Sequence, residues 1–272
     1  AKADDGVPEK LREEIVGEWE TLYEETYGTQ EKVGPSFVGW NSSYTGEPIP
    51  EVQMQEWLSG AIGRMQALQP RRVLEIGCGV GLVLQHLAPQ CAVYMGTDIS
   101  RSALEQLRRW TGEREDLHHV ELQHRSAMQL QDLKSGSFDT VVLNSVVQYF
   151  PDIEYLLSVL REATRLVSPG GRIFLGDIRH FGLLPMFHSA VQLSKAAATV
   201  NVGQLKRRIA RTVAQEKELL IDPQFFELLP QHVPGIRSAQ VQLKRGRAPN
   251  ELTRYRYDVV LRVGEPRREP EL

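Results

Sequence analysis

The stretch "VLEIGCGVGLVLQHL", residues 73 to 87, sets Glu75, Gly77, Gly79 and Gly81 where an apolar run gives way to a helical one. Glycines at such a turn permit positive φ and let a ligand approach the backbone closely. The spacing is ExGxGxG. Leu82 stands where a dinucleotide fingerprint needs its third glycine, so a pyrophosphate is not the ligand implied. The next apolar run, "VYMGTD", ends in Asp98 and is followed by Ile99, the place where an acid in a doubly wound sheet accepts hydrogen bonds from ribose hydroxyls. Ser126 and Ala127 end the third run, placed to line an adenine, and Asn144 and Ser145 end the fourth beside the switch point.

A second centre of chemistry is "GRIFLGDIRHFG", an apolar strand that ends in an acid, two bases and an aromatic ring. His180 suits a general base, since an imidazole with a pKa of about 6.5 accepts a proton near neutrality. Glu251, in "APNELTRYRYD", begins the strand pair that closes the sheet and is placed to orient that imidazole. Each has a plainer reading, His180 as a cap on the strand and Glu251 as a surface partner of Arg254 or Arg256. His188 is a second candidate base on a helix, whereas His118 and His119 sit in a polar loop. No carboxylate and histidine cluster has metal spacing, so no metal is expected.

The elements that must position these residues alternate in type. Leu11, Ile15, Trp19 and Leu22 recur at helical spacing over residues 9 to 27, and a second helix is expected over 51 to 68. From Arg72 onward strand and helix patterns alternate, which implies a mostly parallel sheet of about seven strands with helices on both faces. The expected division is a helical lid over 1–68, a core over 69–263 with a helical insertion at about 183–230, and a polar tail over 264–272. The net charge of −3 disfavours a nucleic acid partner, and no apolar run approaches the length of a membrane span. Cys78 and Cys91 have neither zinc nor disulfide spacing, which suits a reducing cytoplasm. The start without Met and the polar end read as a piece of something longer, though processing or a tag scar accounts for the start equally well.

The glycine loop, Asp98 and the strand pattern that follows resemble the class I S-adenosylmethionine methyltransferases, a Rossmann-like α/β fold, over roughly Arg72 to Ile178. The resemblance implies that Glu75 and the loop hold the methionine end of the cofactor, Asp98 the ribose, and Ser126 and Ala127 the adenine. Ser126 departs from the acid often found there. Outside that core, "FVGWNSSYTGEPIP", "FDTVVLNSVVQYFPD", "GDIRHFGLL" and "APNELTRYRYDVVL" resemble the methyltransferase domains built into modular polyketide synthases and nonribosomal peptide synthetases. That implies an acyl chain on an acyl carrier protein as acceptor, a phosphopantetheine tether, and neighbouring synthase domains as partners. On this basis His180 and Glu251 are expected to deprotonate a β-hydroxyl, with Tyr149, Phe181 and Asn250 lining the acceptor channel. A carrier-bound α-amine is the first alternative and an inactive cofactor-binding scaffold the second. Trp40, Asn41 and Tyr44 either close over the sulfonium or pin their loop to the core. The basic run Lys206 to Arg211 is either a solvated helix face or a dock for the acidic carrier.

Overall fold

The computed structural model describes residues 7–28 and 33–264. The acidic start before Val7, and the expected tail beyond Gly264, lie outside the described residues.

Strands β1 (Arg72–Ile76), β2 (Val93–Asp98), β3 (Val120–His124), β4 (Phe138–Asn144), β5 (Val167–Arg179), β6 (Ile236–Leu243) and β7 (Arg256–Val263) form one sheet in the order β3-β2-β1-β4-β5-β7-β6. β1 to β5 run parallel, and β7 lies antiparallel between β5 and β6. This is the doubly wound, Rossmann-like sheet of the class I methyltransferase fold. Helices α1 (Glu9–Gly28) and α2 (Glu51–Gln66) precede it, α3 (Leu84–Leu87) and α4 (Arg101–Gly112) follow β1 and β2, and α5 (Ile153–Leu166) follows β4. Between β5 and β6 come α6 (Leu184–Ser194), α7 (Val202–Ala214) and α8 (Pro223–His232), and between β6 and β7 the short α9 (Glu251–Arg254).

Side chains on a strand alternate between faces, so a strand covered on both sides must be apolar throughout. Leu74, Leu143, Ile173 and Leu261 pack on one face with Leu156 and Leu160 of α5 and with Phe226 of α8. Their neighbours Val73, Val142, Phe174 and Val260 pack on the other with Met54 and Trp57 of α2 and Leu107 of α4.

Three elements differ from the sequence expectation. The helix expected over "GLVLQHLA" shrinks to the four residues of α3, because Gly81 sits at φ +89° before it and Pro89 enters a 3₁₀ turn after it. Glu251 opens a helix rather than a strand, since Asn250 caps α9 by accepting from the backbone N–H groups of Leu252 and Thr253. Within the insertion, α8 belongs to the core through Phe226 and Leu229, whereas α7 has no buried residue.

α1 also has no buried residue. Polar contacts fasten it at both ends: Arg12 donates to Asp152 at 2.6 Å, and the Glu24 carboxylate accepts from the backbone N–H groups of Arg101 and Ser102 at the start of α4.

Candidate active site

The turn after β1 is held by hydrogen bonds from its own backbone. The N–H groups of Gly77 and Cys78 donate to the Thr97 carbonyl at 2.8 and 3.0 Å, and that of Gly79 donates to the Asp98 carboxylate at 2.7 Å. Gly77 sits at φ +76°, and a Cβ there would fall 2.0 Å from a Val146 methyl. No other residue fits.

A cavity of about 530 Å³ opens at the carboxyl ends of β1, β2 and β4, a volume suited to a small organic ligand. Of the residues expected at a cofactor, Glu75, Gly77, Gly79, Asp98 and Ile99 line it, as do Ala127, Asn144 and Ser145. Gly81 stands behind the loop, where a Cβ would lie 2.6 Å from Leu107, and Ser126 is held beside Ala127 by a bond from its N–H to the Gln129 side chain.

Two buried acids face this cavity. Burial pushes the Glu75 carboxyl up to about 8, helped by the neighbouring Asp98 and opposed by a 2.6 Å hydrogen bond donated by the Tyr94 hydroxyl. Asp98 is also raised by burial, but backbone N–H groups of Ser100 and Gly79 bond its charged form and limit the rise.

Much of the remaining wall comes from residues that no sequence motif marks. α1 contributes Trp19, Tyr23 and Tyr27, and α2 contributes Trp57, which packs against Trp40 with ring centroids 4.8 Å apart. Tyr23 stands edge-on to Tyr149 at 5.2 Å, and burial raises both phenols. Glu218 and Arg256 complete this end. One signal was present in the sequence, the aromatic residues at positions 19, 23 and 27, which share a helix face. Glu218 and Arg256, in a loop and at a strand start, carried none.

Tyr149 and Glu251 also line the cavity. His180 does not, and the structure does not bring it to Glu251. The β5–β7 pairing slips between Leu175 and Ile178, the chain runs on to Arg179, and His180 then caps a 3₁₀ turn, its Nδ1 accepting from the Gly182 N–H at 3.1 Å. The Glu251 carboxylate instead accepts from the Ser43 N–H at 2.6 Å and anchors the loop that follows α1. Phe181 is 59% exposed, Asn250 is occupied as the α9 cap, and the Tyr44 hydroxyl meets that of Tyr255 at 3.5 Å. None of these three lies in the cavity wall. His188 faces Glu216 at 3.2 Å. Among the described residues lining the cavity there is no histidine. Among the described residues no group of three or more His, Cys, Asp or Glu side chains is placed to hold a metal ion, and no helix is long and apolar enough to cross a membrane.

Residues 74–173 match the family described as a methyltransferase domain. With the ExGxGxG turn, the acid ending β2 and this sheet order, the chain belongs to the class I S-adenosylmethionine-dependent methyltransferases. Two of the proteins it is similar to are far longer chains. It is 42% identical over 262 residues to the chondramide synthase cmdD of Chondromyces crocatus, covering 94% of this chain and 7% of that protein. It is 45% identical over 251 residues to the probable nonribosomal peptide synthetase CymA of Salinispora arenicola, covering 92% of this chain and 3% of that one. The chain thus spans only 3% to 7% of the length of these two relatives. A solved Haemonchus contortus phosphoethanolamine N-methyltransferase, in complex with phosphoethanolamine and S-adenosylhomocysteine, aligns at TM-score 0.60 and 13% identity, covering 100% of this chain and 53% of that one. At that identity the likeness is one of fold.

Proposed function

We propose that this chain transfers methyl from S-adenosylmethionine to the α-amine of an aminoacyl group tethered to a carrier protein within a synthetase. Nitrogen replaces the β-hydroxyl oxygen expected from the sequence. The observation that carries this is the acceptor end of the cavity, where Glu218 and Arg256 stand beside Tyr23 and Tyr149 without an imidazole. A hydroxyl must lose its proton as methyl arrives, whereas an α-amine, with a pKa of about 8, is partly neutral near neutrality and already carries the attacking lone pair. The names of the relatives, peptide synthetases among them, support the same reading.

The cavity suits the cofactor. Gly77 and Gly79 present backbone where a side chain would intrude, and the Asn144 Oδ1 is buried with no hydrogen-bond partner among the described residues. Glu75 and the glycine loop would hold the methionine end, Asp98 and Ile99 the ribose, and Ser126 and Ala127 the adenine, with Asn144 and Ser145 between them and the acceptor. The cofactor supplies an electrophilic methyl on a sulfonium. What the protein supplies is placement: the acceptor is held in line under the α1 aromatics, and water is kept out of a site roofed by Trp19 and Tyr23. The carrier protein and adjoining synthetase domains are the partners this reading requires.

Intact-protein mass spectrometry tests it. Carrier proteins loaded with an aminoacyl or a β-hydroxyacyl group are incubated with the chain and S-adenosylmethionine, and only the aminoacyl carrier should gain a methyl. Methylation of the β-hydroxyacyl carrier alone would return the acceptor to oxygen, and a rate loss of about 100-fold or more in His180→Ala would restore that histidine as the base.

A further inference from the structure

We infer that Arg256 recognises the acyl carbonyl of the acceptor while Glu218 receives its amine, so that the pair reads an α-aminoacyl group as one unit. The inference rests on the nitrogen-acceptor reading and adds to it a binding subsite.

Arg256 begins β7 and reaches the cavity wall with its guanidinium. One Nη donates to Asp177 Oδ2 at 2.5 Å. That anchor is itself immobilised: Asp177 is fully buried and also accepts from Trp57 Nε1 at 2.9 Å and from the Ser145 hydroxyl at 3.1 Å. A guanidinium carries five N–H donors. Among the described residues, Asp177 is the only hydrogen-bond partner of the Arg256 side chain, which leaves the rest of the fork for whatever fills the cavity. A structural cation this well anchored does not need to face a ligand cavity.

Glu218 shows the complementary pattern. Arg179 Nη1 donates to its Oε2 at 2.8 Å, and among the described residues Oε1 has no hydrogen-bond partner although Glu218 lines the same cavity. Tyr149 lies within electrostatic reach of both groups. One end of the cavity thus offers an anchored donor fork and an acceptor oxygen within electrostatic reach of each other and of Tyr149. An α-aminoacyl thioester presents the matching pair, a carbonyl oxygen and an amine on adjacent carbons. In the transfer, the nitrogen lone pair forms the N–C bond and the S–C bond breaks with its electron pair to sulfur. The product is a secondary ammonium, and only after transfer does its N–H proton pass to Glu218 Oε1.

Two diffusible acceptors test this: an alanyl thioester of N-acetylcysteamine, and the thioether of the same skeleton with its carbonyl replaced by methylene. Rates are normalised to the neutral amine in each. Wild type should prefer the thioester by about 10-fold or more in kcat/KM, as expected for hydrogen bonding to a charged donor. Arg256→Lys keeps a charge beside Asp177 but loses the fork, and should raise KM for the thioester about 10- to 100-fold while leaving the thioether and the cofactor affinity nearly unchanged. Equal use of both acceptors by wild type, or a preference that survives in Arg256→Lys, overturns the inference and leaves the nitrogen reading standing. Methylation of neither amine overturns both. Should Arg256→Lys fail to fold, the wild-type comparison still decides.

Discussion

Glu75 meets the cavity with a single tyrosine hydroxyl opposing its desolvation, and the sign of its pH effect follows from that. Its carboxyl titrates near 8 in the folded chain against 4.5 for the free group, so the folded state keeps a proton that the unfolded state has released. The stability this confers is full below about pH 4.5 and is lost as pH rises through about 8. Glu75→Gln, which cannot ionise, should therefore melt higher than wild type at pH 8.5, by about 5 °C, and alike at pH 4.5, in the absence of cofactor. On the proposed reading Glu75 pairs with the methionine ammonium in its charged form, so cofactor affinity should move the other way: wild type should bind more weakly as pH falls below 8, and Glu75→Gln should flatten that dependence in calorimetric titrations. Parallel melting profiles for the two proteins would show that Glu75 is already ionised. Glu75, Gly77 and Asp98 were legible in the sequence because a strand-to-helix turn is local and its geometry restricts residue type. Glu218 and Arg256 were not, because loops and strand ends meet there through tertiary packing alone, and neither residue type is restricted by its own backbone.

At the scale of elements, α1 lines the cavity although none of its residues is fully buried. Its aromatic face closes the cavity, yet its attachment depends on polar contacts, chiefly Glu24 on the N-terminus of α4 and Arg12 on Asp152. Burial raises the Glu24 carboxyl, but hydrogen bonds from Ser102, Arg101 and Ser100 outweigh it and hold it below the usual value. An anion at a helix N-terminus contributes about 0.5–1 kcal/mol. Glu24→Ala should then let α1 open more often and speed cofactor dissociation about threefold, read by stopped-flow fluorescence of Trp19, Trp40 and Trp57. Glu13→Ala, at an exposed position on the same helix, is the control; equal rates in the two variants would show that Glu24 is not a latch. The helix itself was legible from its apolar spacing. Its role as a wall was not, since amphipathic periodicity gives a face but no partner for that face. The same limit explains Glu251, expected at a strand start, whereas the cap at Asn250 turns four residues into α9.

Over the whole molecule, a buried polar network joins the sheet to α2. Asp177, at φ +66° where β5 slips against β7, bonds Trp57 of α2, Ser145 beyond β4 and Arg256 of β7, and lies 3.5 Å from the Lys244 ammonium. Its N–H donates to Asp258, which pairs in turn with Lys244 at 3.0 Å and with Arg64 of α2. Burial pushes the Asp177 carboxyl up, yet Arg256 and Lys244 outweigh it and keep it ionised. The alternation of strands and helices made the sheet readable, because every covered strand must be apolar on both faces. This network was unreadable, because its members come from five separate segments and no local pattern pairs Asp177 and Asp258 with Arg64, Lys244 and Arg256. Removing one partner from such a network leaves buried charge uncompensated, which costs about 3–5 kcal/mol. Asp177→Asn isolates that effect, since asparagine tolerates positive φ and keeps the shape. Urea unfolding should show a loss of that size with an unchanged m-value, and an Asp177→Asn, Lys244→Met double variant should recover part of it. A loss under about 1 kcal/mol would mean that water reaches these charges, and that Arg256 is not held rigidly enough to recognise an acceptor.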